Sequence, residues 1–151
     1  MTNIVQIYTC LPDEKEIVKL VSLHESIFGN GEEMKRKLDS KKDILIQTIS
    51  FEDRVIAYKI GYELNAQTFY SWLGGVDPKH RKQGLAQQLM TQQHEWVKQK
   101  GYSSIRTKTM NRWRGMLLLN IKNGFDVQST YVDERGNHKI VLEKCLQENH
   151  N

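Results

Sequence analysis

Val76-Asp77-Pro78-Lys79-His80-Arg81-Lys82-Gln83-Gly84-Leu85-Ala86 joins a β-prone run, residues 69–76, to the start of an amphipathic helix. Pro78 and a knot of basic residues lead into a turn carrying Gly84. A turn of this kind aims several backbone N–H groups one way, and the first amides of the helix have no intrahelical partner. Together with the positive end of the helix dipole and the cations of Arg81 and Lys82, they suit phosphate oxygens. Gly84 lets the backbone approach a bulky diphosphate, and Ala86 keeps the first helical turn thin beside it. The plainer alternative is a strand-to-helix connection dressed with surface cations. Neither Gly-x-Gly-x-x-Gly nor Gly-x-x-x-x-Gly-Lys-Ser/Thr occurs, so neither the Rossmann nor the Walker A loop is supported.

The rest of the chain frames this turn. Its 151 residues, 38% hydrophobic and 26% charged, are those of one globular domain with a core of its own. No run approaches the roughly 18 apolar residues of a membrane span. Residues 2–7 alternate like a strand and lack the basic start and apolar block of a signal peptide, so a cytoplasmic location is expected. Cys10 and Cys145 stand near opposite ends of the chain and are expected to be reduced, half-buried thiols. His24, His80, His94, His138 and His150 are scattered, so no metal site is expected. A net charge of +4 suits an anionic coenzyme, or nucleic acid less well, because the cations cluster only at Lys79, His80, Arg81 and Lys82.

In order, Ile4, Val5, Ile7 and Tyr8 suggest a first strand. Residues 13–28 follow as a helix begun at Pro12, with Ile17, Leu20, Val21, His24 and Phe28 at three-to-four spacing and His24 as a packing residue. Residues 32–42 read as a short helix or a mobile flap. Strands are expected over 44–51, 55–64 and 68–76, joined as antiparallel hairpins. Gly74-Gly75 interrupts the third, marking a bulge, a close backbone approach, or relief of crowding beside Trp72. Residues 83–100 form a core-facing helix stopped by Gly101, 103–109 a strand parallel to the one before it, and 111–123 a fourth helix stopped by Gly124. A hairpin of 127–132 and 139–142 completes the chain.

Arg81-x-x-Gly84-x-Ala86, preceded by Val76-Asp77-Pro78, resembles motif A of the GNAT N-acetyltransferases. The run from Asn111 through Arg112, Trp113 and Asn120 to Gly124-Phe125 resembles their motif B. With the element order, the resemblance covers nearly the whole chain and implies one acetyltransferase domain over residues 1–151. The implied fold is α/β: a mixed sheet of about seven strands, flanked by four helices and splayed between strands 4 and 5.

The resemblance further implies transfer of an acetyl group from acetyl-coenzyme A to a primary amine, by direct attack within a ternary complex. The cosubstrate would rest on Arg81, Lys82, Gln83, Gly84, Leu85, Ala86 and Gln87. Gly74, Gly75 and Val76 would offer main-chain bonds to the pantetheine arm, and Asn111 and Asn120 further contacts. Two departures stand out: Asn120 replaces the usual proton-donating Tyr, and Trp113 replaces an Asn that Asn111 could stand in for. An amide cannot act as a general acid, which leaves the acid unassigned. Glu63 is the candidate base, its plainer reading being an exposed strand-end carboxylate, and Tyr131 and Tyr70 are weaker candidates for acid or substrate contact. Trp72, Trp113, Tyr131 and residues 32–42 are candidates to line the acceptor pocket. The missing Tyr also admits a non-catalytic, coenzyme-sensing role. A homodimer through strand edges near the C-terminus stays open.

Overall fold

A computed structural model describes residues 2–146. Seven strands form a mixed sheet in the order β1-β2-β3-β4-β5-β7-β6. They are β1 (Ile4–Tyr8), β2 (Leu45–Phe51), β3 (Arg54–Glu63), β4 (Thr68–Val76), β5 (Ser104–Thr109), β6 (Asp126–Val132) and β7 (His138–Cys145). The helices are α1 (Glu14–Phe28), α2 (Gly31–Leu38), α3 (Leu85–Gln99) and α4 (Arg114–Lys122). This is the expected α/β architecture, with β4 and β5 the parallel pair. Their ladder joins Thr68 to Ser104 and ends at Ser71 with Thr107, so Trp72 to Val76 take no part in it. No helix among the described residues is long and apolar enough to cross a membrane.

The chain divides into two compact units. The first comprises the residues up to Glu63 together with Trp72–Gln93. Within it β1, β2 and β3 run antiparallel. Glu52 and Asp53 turn between β2 and β3 with φ of 50° and 63°, the left-handed pair that matches the twist of a two-residue hairpin. The expected helix start at Pro12 moves by one residue. Asp13 accepts from the Glu16 amide at 3.0 Å and caps α1, so Pro12 lies outside the helix. Ile17, Leu20 and Leu23 of α1 join Met34 and Leu38 of α2 in a core with Ile46, Tyr58 and Ile60 of the sheet. A second cluster gathers Ile49, Ile56 and Ala57 under Leu85 and Leu89 of α3. Residues 32–42 are thus helical as far as Leu38, held by the apolar contacts of Met34 and Leu38.

The second unit comprises Leu64–Ser71 and the described residues from His94 onward. Here β5 pairs antiparallel with β7, and β7 with β6. Phe69 packs against Trp96 and Tyr102, and His94 against Phe125. The fourth helix begins at Arg114, not at Asn111. Trp113, which precedes it, carries no capping side chain, and the helical ladder starts from its carbonyl with the Leu117 amide. Cys10 and Cys145 are both exposed rather than half-buried, since one follows the edge strand β1 and the other closes β7 at its end.

Candidate functional site

The turn after β4 is a set of main-chain restraints. The Asp77 amide donates to the Ile56 carbonyl at 2.8 Å, fixing the end of β4 against β3. Asp77 Oδ1 accepts from the Lys79 amide at 3.0 Å, and the His80 amide donates to the Asp77 carbonyl, so residues 78–80 wind into one short 3₁₀ turn. Arg81 then folds back, its Nε donating to the Val76 carbonyl at 3.2 Å. Lys82 and Gly84 both stand at positive φ, 63° and 77°. Left-handed backbone reverses the direction of successive peptide planes, which makes a nest of N–H groups.

The first amide bonded within α3 is that of Gln88, donating to the Gly84 carbonyl at 3.0 Å. The amides of Leu85 and Ala86 precede the helical ladder and point along the axis at its positive end. A Cβ built on Gly84 would meet nothing within 4 Å, so the turn is open on that side. That is the form of a cradle for an anion. Arg81, Lys82, Gln83 and Gly84 are exposed, so they meet solvent or ligand rather than core.

The two glycines of β4 have different reasons. A Cβ on Gly75 would stand 2.9 Å from Ile27 Cδ1 and 3.2 Å from rings of Phe28 and Tyr58, so a side chain there would have to push these three aside. The crowding comes from α1 and β3, not from Trp72. A Cβ on Gly74 would meet only ordinary contacts, the Tyr58 carbonyl oxygen at 3.4 Å and Lys59 Cγ at 3.8 Å. Gly74 can therefore spare its side chain for a close backbone approach.

Glu63, at the end of β3, is not an exposed carboxylate. Its side chain is 15% exposed and pairs with Lys42 Nζ at 2.9 Å, which raises the lysine's pKa through that hydrogen bond. Tyr131, on β6 of the second unit, is 41% exposed, with the Lys108 ammonium 5.3 Å from its ring centroid. Asn111 is exposed ahead of α4, where Arg112 stacks on Trp113 at 5.0 Å. Asn120 is 4% exposed, and its carbonyl accepts from the amides of Asn123 and Phe125, closing the helix. The first unit thus holds Glu63, Gly74, Gly75, Val76 and residues 81–87. Asn111, Asn120 and Tyr131 belong to the second.

Three buried polar side chains were not foreseen. Lys59 of β3 is 8% exposed, and burial pushes its pKa down to about 8. Gln47, opposite it on β2, donates to the Leu89 carbonyl at 3.0 Å and to Gln92 at 2.7 Å. Gln93 is fully buried, with neither amide atom partnered among the described residues. Alternation along β3 reads Lys59 as a solvent-facing residue, but α3 covers that face. The signal lay in α3, where Leu85, Leu89 and Gln93 recur at a spacing of four, placing an amide on the buried stripe. On the core-facing helix, Met90 and Val97 are buried while Trp96 and Ala86 are only partly so. His24 is buried as expected and bonds the Tyr58 hydroxyl through Nδ1; burial lowers its pKa. No group of His, Cys, Asp and Glu that could hold a metal ion occurs among the described residues.

Residues 31–107, just over half of the chain, match the family model described as acetyltransferase (GNAT) domain. No curated protein sequence matches the chain significantly. Among solved structures, the ribosomal-protein-S18-alanine N-acetyltransferase of Escherichia coli superposes with a TM-score of 0.78 at 12% identity, covering 98% of each chain. A GNAT family acetyltransferase from Elizabethkingia anophelis with acetyl-CoA bound gives 0.71 at 18% identity, over 95% of this chain and 97% of that one. The IAA acetyltransferase of Bacillus cereus ATCC 14579 gives 0.75 at 16% identity, over 95% and 99%. At these identities the likeness is one of fold.

Proposed function

Because the chain belongs to the acetyltransferase (GNAT) family, we propose that it transfers an acetyl group from acetyl-coenzyme A directly to a primary amine, with both reactants held in one complex. The observation that carries this reading is Gly84 at φ 77°, with open space where its Cβ would stand and the first amides of α3 behind it. Those amides, with Arg81, Lys82 and Gln83, would hold the diphosphate, while Leu85, Ala86 and Gln87 form the first turn beneath it. Gly74, Gly75 and Val76 would carry the pantetheine arm along β4, with Asn111 and Asn120 as further contacts. When bound, the cosubstrate supplies a thioester, whose carbonyl a backbone N–H of β4 would polarise. A donor of this kind commonly lowers a barrier by about 3 to 4 kcal/mol. Holding amine and thioester side by side removes the cost of bringing them together.

The amine's nitrogen forms the new bond to the acetyl carbon as the carbon–sulfur bond breaks. Glu63 would take the proton that the ammonium must lose first, once freed from Lys42. Tyr131 remains the alternative for acid work, and the thiolate otherwise takes its proton from water. The test is release of free thiol from acetyl-coenzyme A over a panel of primary amines. Turnover with wild type and its loss in Gly84→Val are expected; no turnover with any amine would sink the enzymatic reading. A second reading, a non-catalytic acyl-coenzyme A sensor, is favoured by the amide at Asn120, which cannot give up a proton at neutral pH. It predicts thermal stabilisation by acetyl-coenzyme A with no thiol released.

A further inference from the structure

The acceptor is unassigned by the turn and its motif, and the flank of β3 and β4 bears on it. Tyr62 and Trp72 form an edge-on ring pair, centroids 5.8 Å apart and planes at 77°. The Lys41 ammonium stands over both, 4.5 Å from the Tyr62 centroid and 4.7 Å from that of Trp72. Ring faces attract a lysine ammonium or a ligand cation alike through their quadrupole. The neighbouring residues repeat the theme: Lys42 Nζ meets the Glu63 carboxylate at 2.9 Å, and the Glu63 amide donates to the Lys42 carbonyl at 2.9 Å. Two consecutive lysines thus cover two rings and the carboxylate beside them.

We propose that Tyr62, Trp72 and Glu63 are the receptor for the acceptor, a primary alkylammonium, and that Lys41 and Lys42 hold its place until such an amine displaces them. This deepens the acetyltransferase reading and rests on it. The occupant is built to leave. Lys41 has no carboxylate partner among the described residues, and both burial and the Lys37 charge disfavour its protonated form. Residues 39–43 lie outside helix and strand, between the buried anchors Leu38 and Ile44, and Asp43 among them stands at φ 48°. For the loop to lift, the bond from the Glu63 amide to the Lys42 carbonyl must open. A strand advances about 3.3 Å per residue, so Trp72 stands roughly 13 Å before Val76, on the strand that leads into the turn before α3.

Nuclear magnetic resonance on the whole chain tests this, following the Trp72 indole N–H, which Trp72→Phe identifies by removing it. The probe is n-butylammonium, with n-butanol as its neutral counterpart of like shape. Butylammonium is expected to move the resonance with saturation and butanol to leave it in place. Lys41→Met, which removes the resident cation, should tighten butylammonium binding about threefold to tenfold, because a larger share of molecules has the receptor open. Lys41→Arg, which keeps a cation on the rings, should bind as wild type does, and Glu63→Gln should bind at least about threefold more weakly.

Equal responses to butylammonium and butanol would overturn the proposal, as would unchanged affinity in Lys41→Met or equal gains in Lys41→Met and Lys41→Arg. Calorimetry with acetyl-coenzyme A separates the two readings. Its uptake without any butylammonium response removes this receptor and leaves the acetyltransferase reading standing. A butylammonium response without its uptake upholds the receptor and removes that reading.

Discussion

β4 ends in one kind of machinery and is flanked by another. Beyond Val76, the cradle before α3 consists of main chain: a tethered Asp77 amide, two residues at positive φ and a helix start. Along Trp72 to Gly74, the surroundings consist of side chains brought from β3 and from the loop after α2: Tyr62, Lys59 and Lys41. The first is set by short-range restraints among neighbouring residues and is open on the Gly84 side. The second depends on strand pairing and on helix cover, and its positions are already filled by lysines. A receptor of main chain is fixed when the turn folds; one of side chains is as stable as the burial around it.

The largest effect should come from the side-chain flank. In the folded chain Lys59 releases its proton at about pH 8, against an ordinary value of 10.5. Between those two values the unfolded chain binds the extra proton, so folding stability rises with pH across that window. Below pH 8 the full penalty applies, about 3 kcal/mol for a separation of this size. Lys59→Met should therefore stabilise the chain by about 3 kcal/mol at pH 7, and the gain should shrink as pH rises from 8 toward 10.5. Urea denaturation at pH 7 and pH 10 measures both. A gain that does not change with pH would mean that Lys59 carries no buried charge, and the contrast between the two regions would weaken.

The cradle is tested next. Gly84→Val forces a branched side chain into left-handed backbone and onto the open side of the turn. Acetyl-coenzyme A affinity by calorimetry should fall about a hundredfold, or roughly 2.7 kcal/mol. Gly84→Ala, which adds only the strain, should lose about tenfold. If Gly84→Val binds as wild type does, the anion does not sit there.

This difference in construction also decided what the sequence could reveal. The turn was legible because its chemistry is local: Pro78, the cations and Gly84 lie within a few residues of one another. The sheet and most helix ends were legible for the same reason, through alternation, caps and glycine stops. The pairing of Lys41 with Tyr62 and Trp72 was not, because it joins residues 21 and 31 positions apart through a pairing that no short window contains. Lys59 was hidden by a rule that holds only for strands with one wet face. Glu63 was found as a residue while its partner Lys42 was missed, so its surroundings were misread as solvent.

Gly75→Ala separates packing from binding. Its Cβ would press on Ile27 and the rings of Phe28 and Tyr58, so a stability loss of about 1 to 2 kcal/mol is expected. The Gly84 cradle should keep its affinity within about twofold, because the strain falls on α1. A hundredfold loss of acetyl-coenzyme A binding without a drop in stability would instead assign Gly75 to the pantetheine arm.

The smallest effect is expected at Lys82, where conformation and charge oppose each other. At φ 63° a lysine bears strain that glycine does not, roughly 1 kcal/mol, while glycine gives back much of this through the freedom of the unfolded chain. Lys82→Gly should therefore raise stability by no more than about 0.5 kcal/mol. The same change removes a cation from an exposed anion site, so acetyl-coenzyme A should bind about twofold to threefold more weakly at low salt, with the difference fading as salt screens the charge. Lys82→Ala keeps the strain and loses the charge, and should fall below Lys82→Gly in stability with equal affinity. If the two variants differ in affinity, the backbone at this position does more for the anion than its cation does.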